Sequence, residues 1–179
     1  MAEIIREPES YATIRFHDCD PLGHLNNSRF IDYFLDARED HLIDCYGFDI
    51  YERQKQLRTN WVVARHEIAY IAPVQFRETV LLKTRLLHFT EKLLLMEGVM
   101  ASQNGTVVKS VIWTEFRYYS LETGRAMNHP DDLMLFLGTI ALEDGLSIEV
   151  KGFAARVTEI RKEIAPIPVE RYTAKHFVL

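Results

Sequence analysis

Residues 11–17 alternate, with Ala12, Ile14 and Phe16 on one face of a predicted strand and Thr13, Arg15 and His17 on the other. A turn-forming stretch runs from Asp18 to Gly23, and the period then changes. From about Asn27 to about Cys45, the residues Phe30, Ile31, Phe34, Leu35, Leu42 and Cys45 make the apolar stripe of a long helix, with Gly47 as its stop. Asp32, Asp36, Asp40 and Asp44 recur on another side. Like charges at that spacing repel by only about 0.2–0.5 kcal/mol, so the row reads as a solvated or partner-facing edge. Residues 48–60 are polar and irregular, with room for one helical turn.

Four alternating stretches follow. Their shared faces are Val62, Ala64, Ile68 and Tyr70; then Val80, Leu82 and Leu86; then Leu93, Leu95, Val99 and Ala101; then Val108, Ile112, Phe116 and Tyr118. Ala72-Pro73, Thr90-Glu91-Lys92 and Asn104-Gly105 separate them, and Gln103-Asn104-Gly105 reads as a hairpin turn. His129-Pro130-Asp131-Asp132 opens a short helix whose body is Leu133 to Leu137. Beyond residue 140, Leu146, Ile148 and Val150 alternate like a strand, while Phe153, Val157, Ile160 and Ile164 have helical spacing. The Pro166/Pro168 tail reads either as an arm across a neighbouring subunit or as a frayed end.

Consecutive strands joined by tight turns are mainly antiparallel. One face of such a sheet needs a cover, and the helix of residues 27–45 is the long amphipathic candidate. The predicted class is α+β, a curved antiparallel sheet wrapped around one central helix. The 179 residues suit a single domain, with a core at about 10–137 and a C-terminal extension at 138–179. A net charge of −5 argues against nucleic acid or an anionic membrane as partner. No apolar run approaches the roughly 20 residues needed to span a bilayer. Cys19 and Cys45 lack metal or redox spacing, which suits a reducing cytoplasm.

Chemistry concentrates between the first strand and the helix, from Phe16 to Ser28. A helix N-terminus presents unpaired N–H groups and a partial positive charge. A carboxylate a few residues earlier supplies a base or nucleophile, and together they suit attack on a carbonyl. Asp20 is the candidate carboxylate, its alternative role being a turn residue that caps backbone N–H groups. Asp18 reads as a turn or supporting residue. A calcium loop fails, since Leu22 and Arg29 stand where oxygen ligands are required. Cys19 has no identifiable base, and no Gly-x-Ser-x-Gly elbow or phosphate-cradling loop exists. Asn26 and Asn27 read as helix caps, and Gly23 as a left-handed or crowded backbone position. His24 either orients the loop or touches substrate. His66 is a core histidine or borders the acyl pocket.

The Asp-x-Asp-x-x-Gly-His-x-Asn-Asn segment, with Arg65-His66-Glu67-Ile68-Ala69-Tyr70-Ile71-Ala72-Pro73, resembles the hot-dog acyl-CoA thioesterases of the 4-hydroxybenzoyl-CoA thioesterase-like branch. The resemblance spans about residues 10–137. It implies that Asp20 is the catalytic carboxylate and that the backbone N–H of Asn27 receives the oxyanion. It also implies an acyl-CoA or acyl-carrier-protein thioester as substrate, no metal or cofactor, and a homodimer or homotetramer with acyl sites at the subunit interface. A non-catalytic acyl-binding module is the alternative. Asn26-Asn27 replaces the aromatic residues of hydroxybenzoyl-specific members, so that substrate is not implied. Arg58, Arg77, Arg85 and Arg125 are candidates for the CoA phosphates or ordinary surface charges.

Overall fold

The computed structural model describes residues 4–164. The elements are β1 (Glu9–Thr13), a 3-10 turn (Phe16–Asp18), α1 (Arg29–Tyr46), α2 (Ile50–Leu57), β2 (Thr59–Tyr70), β3 (Thr79–Phe89), β4 (Leu93–Ser102), β5 (Val108–Ser120), β6 (Arg125–Ala126), α3 (Asp131–Ile140), α4 (Gly145–Lys151) and α5 (Phe153–Glu163). The sheet runs β1-β3-β4-β5-β2, with β6 added to β5, and every pairing is antiparallel. Asn104 and the left-handed Gly105 close the β4–β5 hairpin at the position its sequence predicts.

The helix α1 lies across one face of this sheet. Phe30, Phe34 and Ala37 bury themselves among Ile14, Val80, Leu82, Met100 and Ile112. This is the α+β hot-dog architecture, a curved antiparallel sheet around a central helix. Gly98 on β4 marks the closest approach. A Cβ there would stand 2.6 Å from Phe34 Cδ1 and 2.8 Å from Ile112 Cγ2. The stripe of α1 turns inward at His41 rather than Cys45, which is exposed. Burying a histidine is tolerated because its Nδ1 lies 2.7 Å from the Thr84 hydroxyl.

The outer face of the sheet is covered as well, which simple alternation does not announce. Leu95 and Trp113 pack with Ile148 of α4 and Phe153 of α5, and Val99 and Val111 pack with Ile160. Residues Leu94 to Ala101 of β4 are therefore buried on both sides. Glu97, 0% exposed, sits in that outer layer. It accepts hydrogen bonds from Trp113 Nε1 at 2.9 Å, Arg156 Nε at 3.2 Å and the Arg85 guanidinium. Arg156 lies on α5 and also pairs with Glu163 of the same helix at 3.1 Å, so its bond to Glu97 fastens α5 to the sheet by charge as well as by apolar contact.

Several local expectations need correction. The first strand ends at Thr13, and Phe16 belongs to the 3-10 turn, 78% exposed rather than sharing the buried face of Ile14. Two turn bonds explain the change, Asp18 N–H to Arg15 O and Cys19 N–H to Phe16 O. Residues 50–57 form a complete helix because the Asp49 carboxylate caps the N–H groups of Tyr51 and Glu52. A bulge between Val63 and Arg65 shifts the register of β2, so Trp61 and Val63 join the face of His66, Ile68 and Tyr70, while Val62 leaves it. The face of Leu93, Leu95 and Val99 turns outward, away from α1. The alternation at Leu146, Ile148 and Val150 belongs to the helix α4, in which Ile148 alone of the three is buried. Phe153 to Ile164 does carry helical packing, as its spacing predicts. The Pro166/Pro168 tail lies outside the described residues.

Candidate active site

The loop before α1 is a chain of interlocking turns. Asp20 donates its N–H to His24 O at 2.7 Å, and Gly23 donates to Asp20 O at 3.0 Å. The Asp20 side chain accepts through Oδ1 from the N–H groups of Leu22 at 2.9 Å and His24 at 3.1 Å. Gly23 takes the left-handed conformation, φ +79°, that this reversal needs. Asp20 is thus the turn-capping residue that its spacing allows. That role occupies one oxygen; Oδ2 has no hydrogen bond among the described residues. Leu25 anchors the loop from beneath, donating to Val74 O and burying its side chain in the α1 core.

Asp18 does the structural work of the pair. Its carboxylate is buried and accepts from the Tyr33 hydroxyl at 2.8 Å, with Arg29 Nε 3.7 Å away. Burial, then the bond to Asp18, pushes the Tyr33 hydroxyl up to about 12, so it stays a donor. The Cys19 thiol donates to Arg15 O at 3.4 Å. Burial, then the charges of Asp18 and Asp20, raise its pKa, the wrong direction for a nucleophile.

The helix start differs from the expected double-asparagine cap. Ser28 is the N-cap residue, and its helical φ/ψ keeps its hydroxyl from reaching the next amides. The Asn26 carboxamide instead accepts from Ser28 N–H at 3.1 Å and Ser28 Oγ at 3.0 Å. Asn27 stands just before the cap, and its N–H has no hydrogen-bond partner among the described residues. Its carbonyl is held by the Tyr70 hydroxyl at 2.8 Å, and the Tyr70 ring meets Phe30 edge-on at 5.2 Å. Burial raises the Tyr70 pKa and keeps that hydroxyl protonated.

Asp20, His24 and Asn27 wall one cavity of about 280 Å³, closed by Phe30, Tyr70 and the Ile71–Pro73 segment. Gly23 and Asn26 shape the loop without lining that cavity. His66 also stays outside it, with Nδ1 3.0 Å from Thr114 Oγ1 and a pKa lowered by burial. Tyr70 is the residue that sequence reasoning left without a role. Its strand alternation was visible, but its reach to Asn27 depends on how β2 crosses the helix start. A smaller cavity of about 50 Å³ near His41, Trp61 and Phe136, toward the other end of α1, contains none of these groups.

A model of the thioesterase-like superfamily matches residues 14–137, the stretch from just after β1 into α3. The chain belongs to the thioesterase-like superfamily. It is a hot-dog protein of the thioesterase-type hydrolases. Solved structures agree on the fold. A hypothetical protein from Thermus thermophilus, TT1821, is 23% identical with a TM-score of 0.68, covering 76% of this chain and 99% of its own. YbaW, a probable thioesterase from Escherichia coli, is 20% identical with a TM-score of 0.65, covering 74% and 97%. A DHNA-CoA thioesterase from Staphylococcus aureus is 15% identical with a TM-score of 0.67, covering 88% and 94%. Comparison with curated protein sequences gave no match. For this thioesterase-like chain, the family match ends before α4 and α5, the helices that cover the outer sheet face.

Proposed function

We propose that the chain hydrolyses an acyl-CoA thioester, with Asp20 as base or nucleophile and the Asn27 N–H as the oxyanion donor. The observation that carries this reading is that Asp20, whose carboxylate keeps one oxygen without a hydrogen bond among the described residues, and Asn27, whose backbone N–H has no partner among them, line the same cavity. The thioester oxygen points at the Asn27 amide, which stabilises the negative charge that develops on it. In one route Asp20 takes a proton from water as the water oxygen bonds to the carbonyl carbon, and the thiol departs with that proton. In the other, Oδ2 bonds to the carbonyl carbon and expels the thiolate, and water then hydrolyses the mixed anhydride. Both routes end in a carboxylic acid and a free thiol with Asp20 restored.

Several features support this assignment. Tyr70 and Asp18 hold the two sides of the site, one gripping the Asn27 carbonyl and the other bracing the turn against α1. The S. aureus relative's own substrate is a CoA thioester by its description. The chain acts as a homodimer or homotetramer. The outer edge of β2 pairs with no strand among the described residues, and Val62 and Val63 are exposed along it. No helix among the described residues is long and apolar enough to cross a membrane.

The test is thiol release from a panel of acyl-CoA and acyl-carrier-protein thioesters, from short aliphatic through aromatic to long-chain. Turnover of at least one CoA thioester is expected. Tight binding without release across the whole panel would support an acyl-binding module instead.

A further inference from the structure

The cavity toward the far end of α1 is lined by two arginines and a histidine and by no acidic residue. We propose that it binds a free monocarboxylate of about three or four carbons, held by Arg38 and His41 and enclosed by apolar side chains. The proposal does not depend on the thioester reading above and stands or falls separately from it.

The polar side chains on its wall all have partners, with two exceptions. The Tyr46 hydroxyl donates to Ile5 O at 2.6 Å, and Trp61 Nε1 donates to His129 Nε2 at 2.9 Å. The Arg85 guanidinium is neutralised by Glu97 and Glu7. Thr84 Oγ1 meets His41 Nδ1 at 2.7 Å. His41 is 4% exposed, yet its Nε2 has no partner among the described residues. The Arg38 guanidinium makes no hydrogen bond among them either, and its Nε is buried. Its ion-pair neighbour Glu39 stands 3.6 Å away and is taken up by the Tyr51 hydroxyl at 2.7 Å. A buried donor without an acceptor is costly, and a charged one more so, and Arg38 beside His41 calls for an acceptor that carries negative charge.

The geometry suits a carboxylate. Arg38 and His41 share one face of α1. The Arg38 guanidinium carbon lies 4.5 Å from the centre of the Phe116 ring. Stacking of this kind uses the face of the guanidinium and leaves its N–H edges, the fork that matches a carboxylate. In the His41 tautomer whose Nδ1 accepts the Thr84 proton, Nε2 carries the hydrogen and donates as well. Leu86, Leu94 and Leu137 supply the apolar wall. The volume is about 50 Å³. One water takes about 10–15 Å³ on that scale, so the space holds roughly four waters, the bulk of a short carboxylate. The Asp20 site is separate. Phe30 lines that cavity, Arg38 lines this one, and Phe34, between them on α1, lines neither. Phe34 is fully buried and packed on Gly98.

The experiment titrates the full chain with butyrate, butyramide, octanoate and inorganic phosphate, by calorimetry and by thermal unfolding. Butyrate should bind one per chain and raise Tm. Butyramide lacks the charge and octanoate exceeds the volume, so each should bind at least about 10-fold more weakly. Arg38→Met keeps an apolar stem and removes the charge. It should unfold no earlier than wild type, because no protein acceptor is left without its donor. It should weaken butyrate binding about 10- to 100-fold, with Arg38→Lys restoring part of the loss. His41→Asn keeps a partner for Thr84 but has no Nε2, and should weaken binding about 2- to 10-fold. Arg38→Lys and His41→Asn carry the test if Arg38→Met fails to fold.

Imidazole NMR locates the ligand. The His41 resonances should move with butyrate, and those of His24, which lines the Asp20 cavity, should not. Equal binding of butyramide, a preference for phosphate, or a response confined to His24 overturns the proposal. So does failure of all four compounds to bind. Butyrate binding that survives unchanged in Arg38→Met or Arg38→Lys and in His41→Asn overturns it as well.

Discussion

Replacing Gly98 by alanine drives a methyl group into the seat of the central helix. The added Cβ would stand 2.6 Å from the Phe34 ring and 2.8 Å from Ile112 Cγ2. Both neighbours are fully buried, so neither can swing away into solvent. Overpacking of this kind costs about 1–3 kcal/mol, while replacing a strand glycine by alanine returns about 0.5–1 kcal/mol of backbone entropy. With two contacts below van der Waals distance the clash wins, and the net loss is about 2 kcal/mol. For a chain of this size that lowers Tm by about 4–8 °C. Urea unfolding followed by fluorescence, alongside calorimetry, measures it. Pairing Gly98→Ala with Phe34→Leu should destabilise less than the sum of the single changes by at least about 1 kcal/mol. A Gly98→Ala protein as stable as wild type would refute the close seating of α1 on β4. The folded variant should also lose thioesterase activity, since α1 carries the Asn27 end of the site and a displacement of about 1 Å costs on the order of 100-fold.

Other expectations follow from the same contacts. Tyr70→Phe removes the bond to the Asn27 carbonyl; it should cost about 1 kcal/mol of stability and lower kcat more than it raises KM in steady-state assays. Arg156→Met leaves Glu97 with Arg85 and Trp113 only and should destabilise by about 2–4 kcal/mol, with Glu97→Gln recovering part of the loss in denaturant titrations. His41, His66 and His129 all have pKa values lowered by burial. Each therefore binds a proton more readily in the unfolded chain, so its contribution is complete above about 6.5 and is lost as pH falls below it. At His129 burial lowers the pKa against an opposing contact with the Thr90 carbonyl, and protonation would also abolish the Nε2 acceptor to which Trp61 Nε1 donates at 2.9 Å. Tm measured from pH 7.5 down to 5 should fall, and a flat profile would contradict this.

What the sequence made legible was whatever is encoded locally. The change from period two at β1 to the helical spacing of Phe30 and Phe34 exposed the strand–helix order, and Asn104-Gly105 marked its hairpin. Asp20 was legible because its turn partners, Leu22 and His24, lie within four residues. The bulge beside Ala64 was hidden, since a register shift leaves no mark in the alternation. The outer layer was hidden for a related reason: Glu97 on a buried strand looks like a solvent-facing charge until Arg156 arrives from α5. Tyr70 likewise gains its meaning only through Asn27, 43 residues away in sequence. Leu146, Ile148 and Val150 misled because three alternating residues also fit one helical turn and a half.

The most direct test of the central claim is single-turnover hydrolysis of a good acyl-CoA substrate by Asp20→Asn. Asparagine keeps an oxygen for the turn amides of Leu22 and His24, so the loop should hold and the substrate should still bind. The rate of thiol release should drop about 100- to 10,000-fold with affinity nearly unchanged. Wild-type turnover in the folded Asp20→Asn protein would contradict the assignment of the reacting carboxylate.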